Sequence, residues 1–117
     1  MQETTGNVIV DKSFLFAVET IKFCETLEQM RKYVVSRQLL KSGTSIGANI
    51  RESQSAESRA DFIHKLKISA KECEETKYWL MLCNASENYP NCFNLINSFD
   101  ELGMILKKII SSARKGN

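Results

Sequence analysis

Two glutamates three residues apart, Glu72 and Glu75, share a helical stripe with the only tryptophan, Trp79, and with Ile68 and Leu82. Paired carboxylates on one helix face can serve general acid–base catalysis or help ligate a di-metal centre. A ferritin-type centre also needs Glu-x-x-His on two helices, and the only histidine, His64, does not stand three residues after a glutamate. His64 has no recognisable nucleophile partner, and the chain has no glycine-rich phosphate loop or catalytic serine motif. Cys24, Cys73, Cys83 and Cys92 show neither CxxC spacing nor a histidine at ligand distance. These residues therefore predict no catalytic site, no metal, no cofactor and no enzyme.

A structural role remains for the carboxylates, because a charged pair on an otherwise buried stripe is costly unless something answers it. The stretch SIGANIRES places Ser45, Asn49 and Glu52 near one another on a second helix, where small Gly47 and Ala48 permit close approach. The expectation is a buried polar seam of Ser45, Asn49, Glu52, Glu72, Glu75 and Trp79, in which Asn49 and Ser45 satisfy Glu72 or Glu75.

Positioning these residues takes helices. The 117-residue chain fits one domain, 1–117, and a single proline and five glycines argue against a loop-rich or all-β fold. Apolar spacing predicts four helices at about 11–32, 34–55, 58–84 and 91–114. The first repeats Phe14, Ala17, Ile21, Cys24 and Leu27; the second runs through Leu39, Gly43, Ile46 and Ile50. Ser58 and Asp61 form a capping-box pattern ahead of a sustained heptad seam, Phe62, Leu66, Ser69, Cys73, Thr76, Leu80 and Cys83. Asn88 and Pro90 supply a turn, and the fourth helix carries two seams, one through Ile96, Phe99, Gly103 and Leu106, the other through Leu95, Leu102 and Ile105. Short connections favour an all-α, antiparallel up-down-up-down four-helix bundle. The second seams on helices three and four call for burial beyond that core, which predicts a homo-oligomer.

No apolar run approaches the roughly 20 residues of a membrane span, and the N-terminus lacks a basic flank followed by a hydrophobic segment, so a cytoplasmic protein with reduced, packed cysteines is expected. Net charge is only +2. Arg37, Lys41, Arg51, Arg59, Lys67 and Lys71 are the candidates for a basic, nucleic-acid-binding rim if helix two packs beside helix three, with Tyr78 the one aromatic near lysines. Lys107, Lys108, Arg114 and Lys115 also suit the C-terminal end of a helix macrodipole.

SIGANIRES followed by DFIHKLKISAKECEETKYWL resembles the 23S rRNA intervening-sequence (23S ribosomal-insert) protein family over about Phe14 to Ile110. Ser45, Ile46, Asn49, Ile50 and Glu52 match that family's Ser-Ile-x-x-Asn-Ile-x-Glu element; Lys71, Glu72, Glu75, Thr76, Tyr78, Trp79 and Leu80 match its Lys-Glu-x-x-Glu-Thr-x-Tyr-Trp-Leu element. The resemblance implies a bacterial four-helix bundle, assembled as a homopentamer, with no established enzymatic activity. The accessory variability determinants of diversity-generating retroelements are similar in fold and engage a reverse transcriptase and nucleic acid. By that analogy the partners are further copies of the chain and RNA or a ribonucleoprotein. The competing expectation is a protein-interaction adaptor with no nucleic-acid role.

Overall fold

Asn7 starts the first helix: its side chain accepts from the backbone N–H groups of Ile9 and Val10, and α1 runs Val8–Gln29 in a computed structural model that describes residues 4–116. The helix ends three residues before the spacing suggested. Arg31 adopts a left-handed φ of 64°, while the N–H groups of Arg31 and Lys32 bond the carbonyls of Glu28 and Leu27. This is a Schellman cap with arginine in the place glycine usually takes, so it leaves no glycine signal to read.

α2 spans Tyr33–Ser53, α3 spans Arg59–Ala85, and α4 spans Phe93–Lys115. Ser58 caps α3: its Oγ accepts from Asp61 N–H at 3.0 Å, and the Asp61 carboxylate accepts in return from the N–H of Glu57, one residue before the cap position that a strict capping box uses, at 3.1 Å. Asn88, at φ 65°, turns the chain between α3 and α4. Each helix packs on its sequence neighbours and α4 closes on α1, giving a four-membered ring of antiparallel helices measuring 49 × 29 × 20 Å. No helix is long and apolar enough to cross a membrane, among the described residues.

Phe16, Leu27, Leu39, Ile46, Ile50, Leu66, Leu80, Leu102 and Leu106 fill the core, with the Phe16 and Phe99 rings tilted together at 5.9 Å. Each such burial contributes about 1.5–3 kcal/mol before the entropy of ordering is counted. The heptad seam of α3 is buried as expected from Leu66 to Cys83, with Phe62 half-buried at its start.

On α1 the expected face is buried only in part, at Cys24 and Leu27, with Ala17 half-buried. Phe14 and Ile21 are 40% and 41% exposed, whereas Ser13, Phe16 and Thr20 are buried with Cys24 and Leu27. The glycines of α2 decide this. A Cβ at Gly43 would lie 2.9 Å from Thr20 Cγ2, and one at Gly47 would lie 3.1 Å from the Ser13 carbonyl oxygen. Only small residues can meet at that distance, and the Ser13 and Thr20 hydroxyls stay satisfied by donating to the Val10 and Phe16 carbonyls of their own helix. One turn further along, Ser36 and Cys24 exchange hydrogen bonds to each other's carbonyls across the α1–α2 contact, at 3.1 and 3.4 Å.

The two seams of α4 also need reinterpretation. Phe99 and Leu106 line the α3–α4 cleft, with Phe99 also meeting Phe16 of α1, while Glu101, next to Leu102, pairs with Lys12 of α1. A helix in a four-membered ring has two neighbours, so its two seams are used within one chain and do not by themselves require a second copy.

Replacing Gly43 with alanine should destabilise the bundle by about 1–2 kcal/mol, because overpacking against Thr20 outweighs the roughly 1 kcal/mol gain in helix propensity. Gly103→Ala should instead stabilise by up to about 1 kcal/mol, since a Cβ there meets no atom within 4 Å. Denaturant midpoints of the two variants moving in the same direction would contradict this packing.

Candidate functional site

The contact between α2 and α3 is polar, but at residues other than those expected. Thr76 Oγ1 donates to Ser42 Oγ at 2.9 Å, Ser42 Oγ donates onward to the Leu39 carbonyl at 3.4 Å, and Ser69 Oγ donates to the Ile46 carbonyl at 2.9 Å. All three hydroxyl residues are buried. Ser69 and Thr76 occupy seam positions of α3, and their hydroxyls reach one helix across.

Ser45 and Asn49 make no such link. Asn49 Nδ2 donates to the Ser45 carbonyl at 2.8 Å and Ser45 Oγ donates to the Lys41 carbonyl at 2.7 Å, both within α2. Glu52 pairs with Lys65 at 3.1 Å, and Glu75 accepts from the Trp79 indole N–H at 3.3 Å. Glu75 and Glu52 are exposed, and Glu72 and Trp79 are half-buried. The reason lies in register. The inward stripe of α2 runs through Leu39, Ser42, Ile46 and Ile50, and a one-residue step turns Ser45 and Asn49 about 100° away from it. The small surface of Gly47 packs on α1, and Ala48 is exposed.

The six expected rim residues are exposed. Arg37, Lys41 and Arg51 lie along α2 and Lys67 and Lys71 on α3; Arg37 and Arg51 are about 21 Å apart along the helix axis. Arg59 donates to the Gly116 carbonyl at 2.7 Å, joining the start of α3 to the end of α4. A denser basic surface lies on α4, where Lys107, Arg114 and Lys115 line one shallow depression with Ile110 and Ser111. None of these cations takes part in an ion pair among the described residues.

Between α3 and α4 opens a cleft of about 370 Å³, with Cys73, Phe99 and Leu106 among its apolar walls and Glu74, Lys77, Asp100 and Lys107 among its polar ones. The spacing of α4 did not reveal it, because Gly103 falls at a seam position and leaves space there that no neighbour fills.

All four thiols are buried and free. Burial pushes Cys73 up to about 12, helped by Glu74 and Glu72 and opposed by Lys107. Burial also pushes Cys83 up to about 12, with Cys92 and Cys24 adding to it, and Cys24 up to about 11 despite its hydrogen bond with Ser36. Such thiols are packing groups, protonated and shielded. Among the described residues no group of three His, Cys, Asp or Glu side chains is placed to hold a metal ion.

Comparison with known proteins places this geometry among relatives. Residues 6–108 match the family model described as 23S rRNA-intervening sequence protein. A crystal structure of a protein with unknown function from the S23 ribosomal protein family of Bacteroides thetaiotaomicron VPI-5482 superposes with a TM-score of 0.84 at 44% identity, covering 89% of this chain and 99% of that one. No curated protein matches.

The hydroxyl contact is testable by a double-mutant cycle. Ser42→Ala and Thr76→Val should each cost about 1–3 kcal/mol, and the pair less than the sum, with a coupling of about 0.5–1.5 kcal/mol. Asn49→Leu should cost under about 1 kcal/mol, since no partner on α3 is lost. Additive loss for Ser42 and Thr76 would contradict the contact.

Alkaline pH tests the thiols. Their folded pKa values are raised, so their contribution to stability is complete below the unfolded value near 9.0 and is lost as pH rises toward 11–12. Each loses about 1.4 kcal/mol per pH unit in that window. Cys73→Ala should make the fall in unfolding free energy between pH 9 and 11 shallower by about that slope; an unchanged slope would contradict it.

Proposed function

The chain belongs to the 23S rRNA-intervening sequence protein family, and from that premise we propose that it is a non-enzymatic, self-associating helical bundle that binds RNA through phosphate contacts at the basic end of α4. The observation that carries this reading is the charge distribution of the last helix. After Glu101 the sequence has no acid but carries Lys107, Lys108, Arg114 and Lys115, all exposed. Lys67 and Lys71, exposed on α3, add to the positive field of the same molecule. A near-neutral protein that sets these four cations on the acid-free second half of one helix can bind a polyanion there locally without a high net charge.

Self-association is supported by apolar surface outside the core. Phe14 and Ile21 on α1 stand partly exposed, and Phe14 lines a depression with Ala17 of α1 and Thr44 and Ala48 of α2. Five subunits is the number the family resemblance implies. Buried, free thiols fit a reducing compartment, the cytoplasm. That same apolar surface also favours a second reading, a protein-interaction adaptor with no RNA partner.

Binding to structured RNA, followed across salt concentrations, separates the two. RNA affinity should fall steeply with salt, and the double variant Arg114→Ala, Lys115→Ala should reduce the slope of log K against log salt by about 2, one unit per lost contact. Absent binding at low salt by an oligomer verified by light scattering would remove the RNA reading, and a monomer at micromolar concentration would remove self-association.

A further inference from the structure

We propose that the cleft between α3 and α4 is a nucleotide pocket, taking one unstacked base that bears an exocyclic amine and seating its phosphate on Lys107 and Arg114. Its volume of about 370 Å³ falls within the range of about 300–1,000 Å³ typical of small-ligand sites. Phe99, Leu106 and Cys73 supply apolar wall for a flat ring. Gly103 is the reason the space exists. Gly43 is matched by Thr20 packed against it, whereas a Cβ at Gly103 would meet nothing within 4 Å, so a helix-weakening residue stands where only an occupant would use the gap.

The polar groups select the class of ligand. Glu74 and Asp100 line the cleft, and among the described residues neither enters an ion pair. Two carboxylates there would disfavour the acyl tail of a lipid anion, but they can accept from the amine of a base, as acidic side chains do from cytosine N4. Lys107 lines both this cleft and the neighbouring depression that holds Arg114 and Lys115. Lys77 also lines the cleft, so acceptors and a cation share it, and the surface becomes wholly cationic only beyond Lys107, which orders the ligand as amine-bearing base, then phosphate. The inference rests on the RNA reading only for the source of the nucleotide, which is either a free mononucleotide or an unpaired residue of an RNA strand.

Calorimetric titration of the full chain with CMP, GMP, UMP and inorganic phosphate, beside single-stranded cytidine-rich RNA, tests it. CMP and GMP should bind at least tenfold more tightly than UMP or phosphate, because uracil lacks the amine. Gly103→Leu fills the cleft and should weaken CMP and RNA at least tenfold without lowering the melting temperature. Asp100→Ala, at an exposed position, should weaken CMP at least fivefold and serves if the leucine variant misfolds. Binding of CMP without RNA would keep the pocket and remove the RNA reading. A tenfold loss of RNA affinity in Gly103→Leu, with free nucleotides too weak to detect, would assign the pocket to a base within a strand. RNA bound with full affinity by both variants, and no mononucleotide bound, would overturn the pocket and leave the RNA reading in place.

Discussion

Helix α2 approaches both of its neighbours so closely that only glycine and hydroxyl residues fit at the contacts. Toward α1, Gly43 and Gly47 rest on Thr20 and Ser13. Toward α3, Ser42 meets Thr76, and Ser69 reaches the Ile46 carbonyl. These contacts are short and buried, and the hydroxyl ones are directional, so they set the height of three helices relative to one another more sharply than leucine packing does. Once that register is fixed, Phe16, Leu39, Ile46, Leu66 and Leu80 fall into the core together, and the polar flank of α2 with Ser45 and Asn49 turns outward.

α4 is held differently. Its ties to the other helices are apolar side chains, an exposed Lys12–Glu101 pair, the Arg59 bond to the Gly116 carbonyl and, at its N-cap, a long bond from the Cys92 thiol to the Leu80 carbonyl. An exposed pair contributes about 0–1 kcal/mol, so burial carries most of the attachment. A helix attached in this way can stand off from its neighbour while leaving few buried polar groups unsatisfied, and the α3–α4 cleft opens along it. Lys107, Lys108, Arg114 and Lys115 stand on this same helix, with no acid after Glu101. Rigidity is thus concentrated in α1 to α3, and the surface suited to a ligand lies on the element least constrained by directional bonds.

The fold was largely legible in the sequence, because apolar spacing over four long segments and the Ser58 cap are strong local signals. Its failures share one cause. Apolar counting assigned the buried face of α1 to Phe14, Ala17, Ile21, Cys24 and Leu27, which holds for Cys24 and Leu27, but it missed Ser13 and Thr20, which look like surface residues until Gly43 and Gly47 are seen to require them. The polar seam was expected at charged and amide residues, the conspicuous ones, whereas the working contacts are serine and threonine hydroxyls hidden within heptad positions. The basic tail was visible in the sequence, but its meaning was ambiguous, because cations at a helix C-terminus also complement the dipole. The cleft had no local signal, since Gly103 shows its role only once α3 is packed opposite.

Native-state hydrogen exchange tests most directly whether α2 is the spine and α4 the looser element. The account predicts that the α2 amides of Ser42, Gly43 and Ile46 exchange only through global unfolding, while central amides of α4, from Leu102 to Leu106, open through a cheaper sub-global event. Equal opening free energies for α2 and α4, or α4 outlasting α2, would contradict it.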